Sequence, residues 1–424
     1  MPGSPRLLTF TLLLAWGESA ALPARAQTSP RDPLATADAS SSVRWNRLVP
    51  VFADQLAGSR RAARKAAAAT GDSVALRRIA MTPPPILFRV YTLLSIAQYA
   101  AVNSARDERG VSADAAVAAA SAAVLADLYP DSAVRASIAG ELARDVQHAR
   151  SGAPGAAGAA AGERLGSDIA DRLLAWAPPP IQLAAPYSGT IPTGPGMWYS
   201  APGIPPIGIF AARARPWLLD SAPQFRPGPP PAYGSPAHQS ALAEVKRVAR
   251  ERTAEQTALA QQWNSADPWA RWNEVASDAL RRHHASDADA ARVLAVLNAA
   301  ASDAIIACFD AKYHYWSIRP SQADTTIVLA DSVGLPNFPS YPSGHACSAG
   351  AFDGVLGHFF PDERADFTRI AEEQAMSRLY GGIHYRFDND GGLALGRTVA
   401  RFAVERERRG GLNAWRNARV AGKP

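Results

Sequence analysis

Sixteen of the chain's 34 prolines lie between residues 178 and 236. Proline fixes φ and lacks an amide donor, so this density forbids both a long helix and a central strand across the stretch. The chain is thereby split into two flanking regions joined by a long irregular connection. A connection of that length is uncommon unless it covers a surface or serves a function. It carries Met197, Trp198, Tyr199, Phe210 and Trp217, which favours packing down on its neighbours. The Met197-Trp198-Tyr199 cluster is a candidate pocket lid.

Both flanks read as helical. Residues 86–105 form one strongly apolar helix after the prolines at 83–85, and 113–128 and 160–176 are alanine-rich, with the Gly/Ala run at 152–162 as a break. Alanine is the best helix former, and no stretch shows the alternation of a strand pair. Further helices are predicted over 238–262, 288–312, 345–359, 364–379 and 384–407. The expected fold is all-α: two packed helical bundles, 44–177 and 237–424, joined by the proline-rich wrapping loop 178–236. The second bundle is the catalytic one.

Residues 1–26 have the form of a secretory signal, with Arg6, the apolar run Leu7 to Trp16, and Ala24-Arg25-Ala26 before Gln27. That run is too short to span a bilayer. Residues 27–43 read as a flexible polar leader. The expected location is secreted or periplasmic, with no transmembrane domain in the mature chain. Apolar residues make up 47% and charged residues 19%, with a formal net charge of +6, which excludes a disordered or fibrous chain. No basic block is interleaved with aromatics, so nucleic acid is not an expected partner. Two cysteines cannot build a disulfide framework or a four-cysteine zinc site. Cys308 and Cys347 are expected as buried thiols rather than a bridge. Apolar helical faces are compatible with a homo-oligomer.

Three stretches in the last third carry the chemistry. The first runs from Lys312 to Arg319-Pro320. The second is Tyr341-Pro342-Ser343-Gly344-His345. The third runs from Ser377-Arg378 through Gly381-Gly382 to His384 and Asp388. Pro342-Ser343-Gly344 reads as a turn feeding a helix near His345, where free amides and the positive dipole end attract an anion. Ser343 adds a hydroxyl, and Gly344 lets the backbone come close. His384 and Asp388, four apart, are expected on one helical face, with the carboxylate holding Nδ1–H and leaving Nε2 free. Lys312, Arg319 and Arg378 bring three cations suited to a tetrahedral oxyanion. Each stretch alone is weak; their order and spacing together are specific.

That trio, K-x6-R-P, P-S-G-H and S-R-x5-H-x3-D, resembles the signature of the superfamily of type-2 phosphatidic acid phosphatases, bacterial acid phosphatases and vanadium-dependent haloperoxidases. The resemblance implies that Lys312, Arg319 and Arg378 grip phosphate or vanadate, with Ser343 and Gly344 donating hydrogen bonds. It implies His345 as the acid–base group, and His384 as the nucleophile toward phosphorus or the ligand of vanadium, oriented by Asp388. Phe338-Pro-Ser-Tyr-Pro-Ser-Gly-His345-Ala and Gly382-Ile-His384-Tyr-Arg-Phe-Asp388 are similar to the haloperoxidase-like bacterial branch. So are the helix 302–315 and, more loosely, Trp45-Asn46-Arg47, Ala101-Val102-Asn103 and Gly196-Met197-Trp198. Cys347 departs from that branch, where threonine is common. The implied function is a vanadate-dependent oxidation of halide by hydrogen peroxide, with vanadate as cofactor and Phe338 as a candidate wall at the halide site. The alternative is a phosphomonoesterase working through a phosphohistidine, with no cofactor. A non-catalytic phosphate- or vanadate-binding protein is the second alternative.

Other groups were weighed. His283-His284 point to different faces of a helix and are expected to be exposed. His314 is given no role, and His358 is expected to be structural. Asp303 and Asp310 precede Lys312, and either could orient it.

Overall fold

The structure is a computed structural model that describes residues 40–81, 85–177, 189–209, 211–265 and 267–417. Residues 1–39, which hold the signal-like segment and most of the expected leader, and Phe210 lie outside the described residues; the leader's expected end at 43 is corrected, because the first helix already begins at Ser41 behind the Ser40 cap.

Short polar side chains start most of the helices. Ser40, Ser112, Asp131, Ser235, Asp267 and Ser286 each accept from an amide of the first turn that follows. Pro236 and Pro268 then occupy the first helical position, where an amide is not needed. Before the connection the helices are α1 (Ser41–Thr70), α2 (Ser73–Met81), α3 (Leu87–Asp107), α4 (Ala113–Leu128), α5 (Ser132–Ser151) and α6 (Gly155–Trp176). After it come α7 (Pro236–Glu251), α8 (Ala254–Ser265), α9 (Pro268–Arg282), α10 (Asp287–Tyr315), α11 (Pro320–Ala323), α12 (Gly344–Phe359), α13 (Arg364–Tyr380), α14 (Arg386–Arg408) and α15 (Ala414–Asn417). Among the described residues there is no strand, only an isolated bridge between Met197 and Ser317. The fold is all-α.

Two boundaries differ from expectation for local reasons. The expected helix over 238–262 is two helices. Thr253 and Gln256 form a reciprocal capping box, Thr253 Oγ1 accepting from the Gln256 amide at 3.3 Å and Gln256 Oε1 from the Thr253 amide at 3.0 Å. The Gly/Ala run at 152–162 does not break α6, which begins at Gly155. Its glycines let it lie against α4: a Cβ on Gly162 would stand 2.3 Å from Ser112 O, and one on Gly166 2.1 Å from Ala116 O.

α10 is the central post. Its residues from Ala290 to Cys308 are almost continuously buried, and it packs on α3, α12 and α14. It is long and apolar enough to cross a membrane, with mean hydropathy 1.7, yet 83% of that window is buried inside the protein. One hydrophobic core runs through both helical regions, from Trp45 and Leu94 to Leu297, Phe352 and Val399. α12 and α14 meet through glycine: a Cβ on Gly396 would stand 2.1 Å from Cys347 O, and one on Gly350 2.4 Å from Leu393 O.

The connection is stapled to α10. Asp303 accepts from the amides of Trp217 at 2.8 Å, Leu218 at 2.7 Å and Leu219 at 2.9 Å. Asp310 takes a two-pronged bond from Arg226, at 2.7 and 3.0 Å. Both carboxylates hold the wrap, and Lys312 is held by carbonyls instead, which corrects the expectation that either could orient the lysine. The candidate lid is also corrected. Trp198 is buried against Trp316, its amide donates to Trp316 O at 2.7 Å, and Ile318 N donates to Gly196 O at 2.9 Å. This segment clamps the strand-like stretch that leads into Arg319.

Candidate active site

Lys312 sits in the last turn of α10, fully buried, where Nζ donates to Pro339 O at 2.9 Å and Ser340 O at 2.7 Å. Arg319 begins α11. Its Nε donates to Phe338 O at 2.9 Å and its Nη1 to Ile383 O at 2.8 Å, while Nη2 is a buried donor with no partner. Arg378 is buried near the end of α13, where Nε donates to Ser377 Oγ at 2.9 Å and Nη2 to Ala260 O at 2.8 Å. These fixed bonds hold three guanidinium and ammonium groups in place before any anion arrives.

Ser343 is the residue before the first turn of α12, and its hydroxyl is buried without a partner. A Cβ added to Gly344 would project into open space rather than into protein. The first amides of α12 are therefore presented beside an open cradle, as an anion at a helix N-terminus requires. The Ser343 amide donates to Asp388 O at 2.9 Å, which ties this turn to the third motif.

Gly382, at φ +78°, makes the turn that ends α13 and brings His384 inward. His384 Nδ1 lies 2.9 Å from Asp388 Oδ2. The pair is not on one helical face, as spacing alone suggests: α14 starts at Arg386, and His384 precedes it. Asp388 instead caps α14, accepting from the Tyr385 amide at 3.1 Å. The expected bond forms by a different geometry, and it fixes Nδ1–H and leaves the Nε2 lone pair 3.4 Å from Arg319 Nη1. His345 is held the other way round. Its Nε2 lies 3.1 Å from Trp263 O, so Nε2 carries the proton and Nδ1 the lone pair.

Burial and mutual repulsion dominate the electrostatics. Burial lowers Lys312 to about 8, Arg319 to about 10 and Arg378 to about 9. Burial, then Arg378, lowers His345 to about 3. Burial, then Arg319 and Lys312, hold His384 well below its ordinary value. Burial raises Asp388 to about 6, against the opposing bond from Ser340. Three cations thus face one carboxylate, and both imidazoles are neutral.

The structure brings together Lys312, Arg319, Ser343, Gly344, His345, Arg378, His384 and Asp388. Phe338 lies with them, its ring 5.0 Å from both Lys312 Nζ and Arg319 Cζ and edge-on to Phe309. Cys308 and Cys347 are buried free thiols behind the site, in contact with each other. His314 is exposed and lines a separate cavity of 340 Å³ with Arg213, Arg226, Asp310, Tyr313 and Trp316. His283 is exposed against Glu363, and His358 pairs with Arg408 at the surface. Sequence reasoning missed Ser340, whose hydroxyl donates to Asp388 Oδ2 at 2.5 Å, and the carbonyls of Ala260 and Trp263. A carbonyl belongs to every residue, so those two had no signal.

Residues 291–409 match the PAP2 superfamily. A vanadium-dependent bromoperoxidase of Ascophyllum nodosum is 33% identical over 107 residues, 18% of this chain and 19% of that protein. A lipid A 1-phosphatase of Rhizobium etli is 41% identical over 63 residues, 15% of this chain and 27% of that protein. These alignments span only about a fifth to a quarter of the relatives' length. Over a wider extent, the chain is similar to the solved structure of a bacterial vanadium-dependent iodoperoxidase. That match has a TM-score of 0.64 and 24% identity, and covers 77% of this chain and 92% of that one. An apo-type bacterial vanadium-dependent chloroperoxidase gives 0.62 and 13%, over 78% and 96%. Residues 291–409 of this chain are therefore a PAP2 superfamily domain, set in the all-α fold seen in those vanadium-dependent peroxidase structures.

Proposed function

We propose that the protein is a vanadate-dependent haloperoxidase-like enzyme that oxidises halide with hydrogen peroxide. The observation that carries it is the extent of the fold likeness, which at 77–78% of the chain must reach well before residue 290, whereas the lipid A phosphatase likeness is confined to 63 residues. The donor set fits a tetrahedral oxyanion: Arg319 Nη2 and Ser343 Oγ are buried and unpartnered, beside Lys312, Arg378 and the amides of α12. His384 Nε2 would hold vanadium. Vanadate, when bound, supplies the Lewis acid that activates peroxide toward halide. The chain's own part is electrostatic and protonic. The three cations offset the anion's charge, Lys312 stays charged beside the reacting oxygens, and His345 exchanges a proton through Nδ1. Phe338 supplies an aromatic wall over Lys312 and Arg319.

The His384–Asp388 dyad favours a second reading, a phosphomonoesterase. Neutral His384 attacks phosphorus through Nε2, and His345, which takes up a proton on Nδ1 when the anionic ester binds, passes that proton to the leaving oxygen. Water then cleaves the phosphohistidine, returning the imidazole and releasing phosphate. A location outside the cytoplasm remains part of the proposal through residues 1–26.

Protein loaded with orthovanadate is expected to brominate a phenol-type dye with peroxide and bromide, to lose this on vanadate removal and to regain it on re-addition. Cleavage of p-nitrophenyl phosphate without bromination would replace the first reading by the second. Tight phosphate binding by calorimetry with neither turnover would indicate a non-catalytic binder. His384→Ala should abolish either activity. His345→Ala should slow it by roughly two to four powers of ten.

A further inference from the structure

The Asp388 carboxylate is loaded on one side. Oδ2 meets three donors: the Ser340 hydroxyl at 2.5 Å, His384 Nδ1 at 2.9 Å and the Tyr385 amide at 3.1 Å. Oδ1 is buried and has no partner. Two of the three donors belong to Asp388's own segment and move with it. Ser340 comes from outside, 48 residues upstream, on the loop that enters α12.

Ser340 is itself held independently of the dyad. Its amide donates to Ser317 O at 2.9 Å, just before Arg319. Its carbonyl accepts from Lys312 Nζ at 2.7 Å. It is fully buried, so no water competes for the hydroxyl. The hydroxyl has one proton. His384 Nδ1 carries its own proton for Asp388, so the 3.4 Å approach of Ser340 Oγ to Nδ1 is not a second donation by Ser340, and its proton goes to Oδ2.

We propose that Ser340 is a positioning residue: by pinning Oδ2 it fixes the Asp388 carboxylate, and through it the direction in which His384 Nε2 faces the oxyanion. The inference deepens the proposed function and rests on His384 acting at the anion. It is also distinct from a packing role, because it predicts that the effect of Ser340 passes through Asp388.

The test is a double-mutant cycle with Ser340→Ala, Asp388→Asn and the pair, plus Ser340→Thr, each first checked for an unchanged melting transition. Turnover is measured with p-nitrophenyl phosphate and by bromination, and phosphate affinity by calorimetry. Ser340→Ala is expected to lower kcat by roughly 10–100-fold, the usual scale for removing a supporting hydrogen bond. Phosphate affinity should change far less, and Ser340→Thr should restore most of the rate. On the Asp388→Asn background Ser340→Ala should add little, because neighbours acting as one unit are not additive. Nitrogen-15 spectra of histidine-labelled protein supply a readout without turnover: His384 is expected as the Nδ1–H form in the wild type and as a tautomer mixture in Ser340→Ala. An equal loss on both backgrounds, or phosphate affinity falling in step with kcat, would overturn the proposal. So would an unshifted His384 signal. If the wild type has neither activity, the functional reading fails, and the spectra alone still decide the role of Ser340.

Discussion

Asp303→Ala tests how the wrap is held. Asp303 lies in the middle of α10, completely buried, and accepts three amides from Trp217 to Leu219. Alanine leaves those donors without an acceptor. At a mid-range of about 2 kcal/mol for each buried unsatisfied donor, the loss is about 6 kcal/mol. An opposing effect comes from the charge. Burial raises the Asp303 carboxyl to about 6, so at pH 7 its ionised form is costly to hold inside. Removing it returns about 3 kcal/mol, two pH units of differential binding. The net destabilisation is then roughly 3 kcal/mol at pH 7. Because the folded carboxyl titrates above its unfolded value, the native state binds this proton more tightly. The contribution of Asp303 is therefore fully present below the unfolded pKa and is lost as pH rises through about 6. The gap between wild type and variant should widen on acidification from pH 7 to 4. Urea unfolding followed by circular dichroism at both pH values measures the gap, and limited proteolysis of 189–235 reports release of the wrap. A gap below about 1 kcal/mol at pH 7, one that narrows in acid, or an unchanged cleavage pattern would refute the reasoning.

Gly396→Ala should destabilise the protein, because the new methyl meets the α12 backbone at Cys347 O and Ala351 N and overpacking at about 1–3 kcal/mol exceeds a helix-propensity gain of about 1 kcal/mol. Gly140→Ala, in exposed α5 with open space around it, should stabilise by about 0.5–1 kcal/mol in the same unfolding assay. Arg319→Lys should weaken phosphate binding by about ten- to a hundredfold in calorimetry, since the ammonium cannot keep the Phe338 and Ile383 bonds and also reach the anion. Lys312, lowered to about 8 by burial, loses its charge as pH rises through that value, so affinity for sulfate, whose own charge is constant there, should begin to fall near pH 8 in wild type and only nearer pH 9, where Arg378 titrates, in Lys312→Met. Binding of the same anion near pH 6 should take up protons, because it offsets the positive field that lowers His345 and His384; calorimetry in buffers of different ionisation heat measures this, and buffer-independent heats would contradict it.

The residues proposed to grip the anion were legible because their order and spacing are constrained. Lys312, Arg319, Arg378, His345 and His384 have few other reasons to occur at those spacings, and the fold class followed from alanine-rich helices on either side of a proline-dense stretch. What holds those residues in place was less legible. Lys312 is anchored by the carbonyls of Pro339 and Ser340, Arg378 by that of Ala260, and His345 by that of Trp263. Those groups are the same in every residue, so only the path of the chain selects them. Asp303 and Asp310 look like neighbours of Lys312 in sequence, but the helical turn carries their side chains to the wrap. His384 and Asp388 meet as expected, by a cap instead of a helical face, because Gly382 turns the chain before α14 begins.

The two histidines bear on both of the proposed chemistries. Asp388 fixes His384 with its proton on Nδ1, whereas Trp263 O fixes His345 with its proton on Nε2. Each ring is left with one lone pair on the nitrogen its partner does not use. Burial, then the surrounding cations, keep both rings neutral until an anion arrives, so His384 is free to bond a central atom from the outset in either proposed reaction. His345 becomes a proton donor only once negative charge sits beside it. A phosphate ester and a vanadate both present tetrahedral anionic oxygens to these groups, so neither the dyad nor the cations is expected to separate them. Discrimination is then expected from what borders the cradle, Phe338 against Lys312 and Arg319. Substitutions there should shift the balance between the two substrates, whereas substitutions at His384 should remove both.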